Sequence, residues 1–440
     1  MTNKFNSITR SQLVFRYYGF QFFFSLLLWL PIFYEYQKRL GLNDIEIFQI
    51  QSLYYIFFCL IEIPTGVLAD RWGRLPCLRL GSVICLFSNF LPVFVDFDWV
   101  FKSLSTPHSV YLQFLCHFLL LALARSLISG ASSAYLYDHL QALGEAREFK
   151  KIEGRARSYG LLGKVAIWPI IGFLMSWHLS LPYWLTAMAS AVSVGFAWML
   201  PTELRSPAHF SPSISASAAN LPGDPLNPRN RMAFFMDFKS ILSILTHSPI
   251  LLLIMFQGIA IFVLARICQV NLFHPLLILK SFDVSSFGSV MALMTVFEAL
   301  GSGNPGWLRK WMNDLNAVFL WTGISALCLF ALTVNGRWGT LVSLNVFSFA
   351  VGACFPIQRQ LFNDYIPQAR YRATLMSVES ILDRAVCAWM ASILGGYISD
   401  GKIENFLRYS AGLTGAGILI LLITLISSRY ATSWDFTKAR

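Results

Sequence analysis

Gly66-Val-Leu-Ala-Asp70-Arg71-Trp-Gly73-Arg74-Leu-Pro-Cys-Leu78 places three charges and a glycine between two apolar runs, Ile47 to Ala69 and Leu75 to Val95, with a second glycine near the end of the first. Each run is long enough to cross a bilayer core, which takes about 20 predominantly apolar residues. The stretch between them can only turn the chain, so it reads as a tight hinge at a membrane surface. Gly66 and Gly73 leave room for a turn and a close helix approach. Asp70 ends the first run, where a carboxylate can face a neighbouring helix N-terminus or a base. Arg71 and Arg74 fall at headgroup level, and short loops rich in Lys and Arg mark the cytoplasmic face.

Outward from this hinge the pattern recurs. The first half holds apolar runs from Tyr17 to Tyr36, Ile47 to Ala69, Leu75 to Val95, Tyr111 to Ala134, Tyr159 to His178 and Pro182 to Leu200. The second half holds Pro249 to Phe273, Ser285 to Gly301, Ala317 to Val334, Thr340 to Leu361, Leu375 to Ile398 and Tyr409 to Ile426. Each predicts a helix, because backbone in lipid must satisfy its own hydrogen bonds. Between the sixes, Pro207, Pro212, Pro222, Pro225 and Pro228 lie among Ser, Ala and Asn, the composition of a linker. The expected organisation is an all-α membrane protein of twelve spans: a six-helix half over 1–201, a cytoplasmic linker over 202–248 and a second six-helix half over 249–440.

Composition agrees. Of 440 residues 56% are hydrophobic and 13% charged, about half the charge of a soluble chain. This excludes a disordered chain, a disulfide scaffold and an ordinary soluble enzyme. The net charge of +11 reflects basic inner loops rather than nucleic-acid binding. With both termini cytoplasmic, about 23 of the 34 Lys and Arg fall inside and about seven outside. The eight cysteines lie in or beside apolar runs without CxxC spacing and read as small apolar filler. The histidines show no metal-ligand spacing; His108 and His274 read as interfacial, and His117 as a cavity residue. No cleavable signal, P-loop, HxxxH, paired catalytic carboxylates or nucleophile elbow appears, so no metal, no cofactor and no enzymatic activity are expected.

The hinge resembles the signature loop of the major facilitator superfamily, G-x-L-a-D-r-x-G-r-k-x-x-l, departing at Leu75, where that family usually has a second basic residue. Glu62 to Gly66, Arg125 to Asp138 and Ile366 to Ser377 are similar to a bacterial branch of the same superfamily, so the resemblance covers the whole chain. Arg125 precedes Gly130 by five residues where the span-four motif of proton-coupled exporters has four. The second-half copy of the hinge, Gly301 to Lys310, is degenerate, as duplicated transporter halves allow. The resemblance implies alternating access in the cell inner membrane by a monomer. Spans one, four, seven and ten would line a cavity; spans two and eleven, and five and eight, would meet between the halves.

Ionisable residues inside spans are costly and therefore candidates for function. They are Glu62, Arg125, Lys164, Arg266, Glu298, Glu379, Asp383 and Arg384. Given those neighbours, Arg125 and Arg266 become substrate-cavity residues, Glu62 the proton site, and Glu62–Arg384 and Lys164–Glu298 inner-gate ion pairs, with Asp383 beside them and Gly66, Asp70, Arg71, Gly73 and Arg74 in the signature loop. The expected partners are a small solute, a proton and the lipid bilayer. The expected function is proton-coupled export of a small amphipathic organic solute, such as a drug, metabolite or siderophore-like compound. The alternative, suggested by the two cavity arginines, is import of an organic anion or nutrient.

Overall fold

A computed structural model of the chain describes residues 10–94, 107–202, 248–303, 311–366 and 372–431. Among the described residues no strand occurs. The first half carries α1 (Arg10–Ser25), α2 (Phe33–Arg39), α3 (Asp44–Trp72), α4 (Arg74–Phe94), α5 (Pro107–Ala142), α6 (Phe149–Trp177) and α7 (Leu181–Met199). The second carries α8 (Pro249–Arg266), α9 (Phe273–Leu279), α10 (Val284–Gly303), α11 (Asp314–Val334), α12 (Arg337–Tyr365), α13 (Arg372–Ser399) and α14 (Ile403–Ala431). The linker from residue 203 to 247 lies outside the described residues.

Eleven helical segments among the described residues are long and apolar enough to cross a membrane, with α1–α2 and α8–α9 each forming one of them. The chain is thus a multi-pass membrane protein. α7, the sixth expected span, is not among these eleven; its 19 residues include Tyr183, Thr186, Ser190 and Ser193. Those polar groups dilute the apolar run, although the helix itself forms.

Two runs expected to be single helices are broken. After α1 the chain loses helical pairing and re-forms as a short turn, Leu30–Ile32, containing Pro31. Proline has no N–H and disfavours helical backbone in the residue before it. The freed groups find partners on neighbouring helices: Leu28 N–H donates to Thr186 Oγ1 at 3.1 Å, and Trp168 Nε1 donates to the Leu27 carbonyl at 3.2 Å. Between α8 and α9 the backbone widens into a π-helical segment, Ile267–Leu272, ahead of Pro275. Such bulges absorb a mismatch in helical register and often mark functional sites. The two broken spans end alike. Gly41 and Ser281 both take positive φ, +96° and +57°, and each is followed by a backbone N–H that reaches five residues back, Leu42 to Gln37 and Phe282 to Leu277. The halves therefore share a structural repeat.

Several helices start earlier, or run on further, than their apolar runs. α6 begins at Phe149 rather than Tyr159, and α12 extends to Tyr365. Glu153, Arg155 and Arg157 therefore stand on a helix face instead of in a loop.

Contacts divide the chain into two compact units. The first joins Met1–Arg205 with Arg266–Val296 and Arg384–Ile403. One part of its core surrounds Trp29, which stacks on Tyr183 at 5.5 Å and donates from Nε1 to Asn89 Oδ1 at 2.9 Å. α6 and α10 come so close that a Cβ on Gly288 would lie 1.7 Å from the Trp168 carbonyl oxygen. The second unit joins Ser206–Ala265, Phe297–Asp383 and Glu404–Arg440. In it Gln257 donates to Thr322 Oγ1 at 2.7 Å and Gln358 donates to the Ile254 carbonyl at 2.6 Å.

Candidate functional site

The first unit encloses a cavity of about 490 Å³, within the usual range of small-molecule sites. The broken segments after α1 and α8 bring Trp29, Leu30, Phe33, Arg266 and Val270 to its wall. α3 adds Gln51, Tyr54, Tyr55 and Phe58; α5 adds Phe118, Arg125 and a run of serines. The early start of α6 brings Glu153 and Arg157, and Lys164 follows two to three turns along. Arg384 of α13 completes the wall. Arg125 and Arg266 are both among its lining residues.

The electrostatics are lopsided. Among the described residues five cations line the space, Arg125, Arg157, Lys164, Arg266 and Arg384, and one carboxylate, Glu153; Arg384 is in addition paired with Glu62. Glu153 is held by hydroxyls: it accepts from Tyr17 at 2.6 Å and from Ser133 at 3.0 Å, with Arg157 Nε 3.6 Å away. Gln21 extends this network by donating to Tyr17 Oη at 3.1 Å and to Ser132. Aromatic rings form much of the remaining wall. The Arg384 guanidinium lies 3.8 Å from the centre of the Phe58 ring, and Lys164 lies 5.9 Å from that of Trp168, distances at which ring and cation attract.

Glu62 Oε2 lies 2.5 Å from Arg384 Nη1. The expectation joined the same two side chains from helical depth. Glu62 is not deeply buried: 33% of its side chain is exposed, against 13% for Arg384. Lys164 belongs to the first unit and Glu298, on α10, to the second. The most deeply buried carboxylates among the described residues are Glu379 and Asp383, one turn apart on α13 and each 1% exposed. Arg359 Nη1 meets Glu379 Oε2 at 3.0 Å, and its guanidinium covers the Phe262 ring at 4.9 Å.

The end of the cavity at Trp29 and Phe33 is sealed. His274 of α9 packs its ring on Phe33 at 4.8 Å and lies 6.4 Å from Tyr34. It is fully buried, not interfacial as read from sequence, because the break at Ile267–Leu272 turns this stretch of α9 inward. His117 is also fully buried, but it packs on Trp29 and Phe118 and hydrogen-bonds Ser88 instead of lining the cavity. His108 has no described side chain.

In the hinge, Gly73 caps α3 with φ +97°, as its place in a turn requires. A Cβ on Gly66 would meet nothing, so the close helix approach expected there is not made. Arg74 donates to the Ala134 carbonyl at 2.8 Å and pairs with Asp138, tying the hinge to α5. Arg71 is exposed, and the side chain of Asp70 lies outside the described residues.

Sequence reasoning missed Glu153, Arg157 and the Arg359–Glu379 pair. The first two sat in a basic stretch read as loop, where a helical charge pattern, Glu153 four residues before Arg157, could have signalled a helix.

The profile of the Major Facilitator Superfamily matches residues 13–382. No curated protein matches the chain. Among solved structures, the nucleoside transporter NupG is similar with a TM-score of 0.65 at 16% identity, over 95% of this chain and 99% of that one. A POT family transporter in complex with a thioalcohol-conjugated peptide gives a TM-score of 0.62 at 15% identity, over 97% of this chain and 98% of that one. Peptide transporter POT in complex with sulfate gives 0.67 at 13%, over 97% and 96%. At these identities the likeness is one of fold.

Proposed function

The chain belongs to the Major Facilitator Superfamily, and from that premise we propose a secondary active transporter of the cell inner membrane, a monomer, that carries a small organic anion by alternating access. The observation that supports this substrate class best is the cavity wall, whose described lining holds five cations, one of them paired with Glu62, and one carboxylate. Guanidinium groups bind carboxylate and phosphate oxygens in a planar fork. Arg125 and Arg266 are the proposed anchors, and Tyr54, Tyr55, Phe58 and Phe118 accommodate the organic body. The aromatic share of that wall keeps the amphipathic-solute reading alive as the second one, with export as its direction.

Proton coupling is assigned to Glu62. Its carboxylate neutralises Arg384 at 2.5 Å. An anionic solute that binds Arg384 competes with Glu62, and a proton on Glu62 removes the competitor. Solute and proton then favour each other's binding, as linkage requires. The seal of Phe33 against His274 must part when the site opens to the opposite side. The Glu62–Arg384 and Lys164–Glu298 pairs are the proposed inner gate, which breaks and re-forms as the halves rock.

The test is transport in energised membrane vesicles of both orientations, with organic anions, neutral solutes and cationic dyes side by side. Accumulation of anions that a protonophore abolishes supports the reading. Transport confined to cationic dyes overturns the substrate class, and accumulation only in inverted vesicles selects export.

A further inference from the structure

The second unit contains a groove of about 680 Å³ between α11 and α14, lined by none of the cavity's residues. One wall is Arg408, Gly412 and Gly415 with Leu422 beyond them; the other is Gly323, Leu327 and Phe330. On α14 these positions recur every three or four residues, so they form one helix face. A Cβ at Gly323, Gly412 or Gly415 would meet nothing within 4 Å. The glycines therefore do not serve close helix packing. They widen a trench instead.

The corresponding pair in the first half behaves differently. α4 and α7, third and sixth spans of their half as α11 and α14 are of theirs, are joined by polar groups. Asn89 Nδ2 donates to Ser190 Oγ at 3.0 Å, and the Arg79 guanidinium donates to the carbonyls of Ala197 and Trp198 at 3.4 and 3.3 Å. The trench walls of α11 and α14 are apolar apart from Arg408 at one end. That guanidinium is half-exposed, and Glu404, one turn back, reaches it only at 3.7 Å.

We infer that this trench is a binding site for one acyl chain of an anionic phospholipid, with the lipid phosphate on Arg408. The chemistry matches at both ends. Arg408 stands in the second turn of α14, at headgroup depth, where a long cationic side chain reaches the interface. From Arg408 to Leu422 the helix rises about 21 Å, more than the roughly 15 Å of one leaflet of the hydrocarbon core. A chain descending from a phosphate at Arg408 therefore meets apolar wall along its whole length. Leu327 and Phe330, exposed at 69% and 52%, become covered.

The experiment is native mass spectrometry of the delipidated full-length protein, titrated with dipalmitoyl phosphatidylglycerol and, separately, with dipalmitoylglycerol, which lacks the phosphate. The expected result is a single saturable phosphatidylglycerol adduct and at least about fivefold weaker retention of dipalmitoylglycerol, in line with the value of one basic residue near an anionic headgroup. Arg408→Gln should lower the phosphatidylglycerol affinity by a similar factor. Gly415→Leu fills the trench while leaving Arg408 in place and should abolish the adduct. Because the added side chain enters open space, the fold should persist, which a thermal melt checks. Equal retention of the two lipids, or an adduct unchanged in both variants, overturns the site. A dimer dissolved by Gly415→Leu also overturns it, since the trench would then hold a second copy of α14.

Discussion

Replacing Glu62 by Gln tests the proposed coupling element. The side chain keeps its length and can still accept a hydrogen bond from Arg384, but it loses the charge that holds that guanidinium at 2.5 Å. An exposed ion pair contributes about 0–1 kcal/mol and breaking a buried one costs about 3–5. With 13% and 33% of the two side chains exposed, and with Phe58 supporting the guanidinium from the other side, the loss falls near 1–2 kcal/mol after discounting for solvent. Arg384 becomes available to an anionic solute by that margin, so affinity should rise roughly tenfold, since about 1.4 kcal/mol is a factor of ten. Proton-driven accumulation should vanish, because no proton need bind before solute does. The assay is reconstituted protein in liposomes, comparing uptake driven by a pH gradient with counterflow of labelled solute at equal pH. The expected pattern is loss of the first with the second retained or improved. Full accumulation driven by the pH gradient in Glu62→Gln would refute the assignment and leave Glu62 a structural partner of Arg384.

Arg125→Ala and Arg266→Ala should each weaken anionic solutes by about 2 kcal/mol or more, if the solute charge is desolvated, and neutral solutes much less; binding isotherms for a matched anionic and neutral pair test this, and equal losses would point to gating or folding. Lys164→Glu and Glu298→Lys should each impair transport, and the double exchange should restore it if the pair forms during the cycle; failure to restore counts against that pair. Gly288→Val should lower the yield and melting temperature of the folded protein sharply, because even a Cβ at that position would lie 1.7 Å from the Trp168 carbonyl, and a side chain inserted there forces α6 from α10. Arg74→Ala should lower the melting temperature modestly, by about 1–2 kcal/mol of stability, through loss of the hydrogen bond to the Ala134 carbonyl and the pair with Asp138.

The fold was legible because its strongest constraint acts on composition. A backbone in lipid must pair with itself, so apolar length alone announces helices. What apolar length cannot announce is where a helix continues beyond the lipid. α6 starts ahead of its apolar run among Glu153, Arg155 and Arg157, where charge is cheap to hydrate and hydropathy falls silent. The breaks in the first and seventh spans were hidden for a related reason. Pro31 and Pro275 sit inside apolar stretches, and proline within a membrane helix is tolerated when neighbours re-satisfy the backbone. Thr186 and Trp168, which supply those hydrogen bonds, are far from Leu28 and Leu27 in sequence.

These breaks bear directly on the site. An unbroken first span would carry Trp29 and Phe33 straight on along its axis; with Pro31 between them they meet Tyr183 and His274. An unbroken seventh span would fix the rotation between Arg266 and His274. The π segment adds a residue to the turn, so Arg266 reaches the cavity while His274 reaches the seal. On the proposed reading, residues on either side of the break serve solute binding and closure. A bulge that resolved into regular α-helix would rotate one relative to the other by roughly the 100° that one residue occupies on a helix. The segment Ile267–Leu272 is therefore where binding at Arg266 and opening at Phe33–His274 can be mechanically joined. Deleting one residue from it, Gln269, should leave a helix that still spans the membrane but cannot satisfy both contacts. Such a variant is expected to bind solute and fail to transport it, measured as retained binding with lost counterflow. Retained counterflow would show that the bulge is incidental to the cycle.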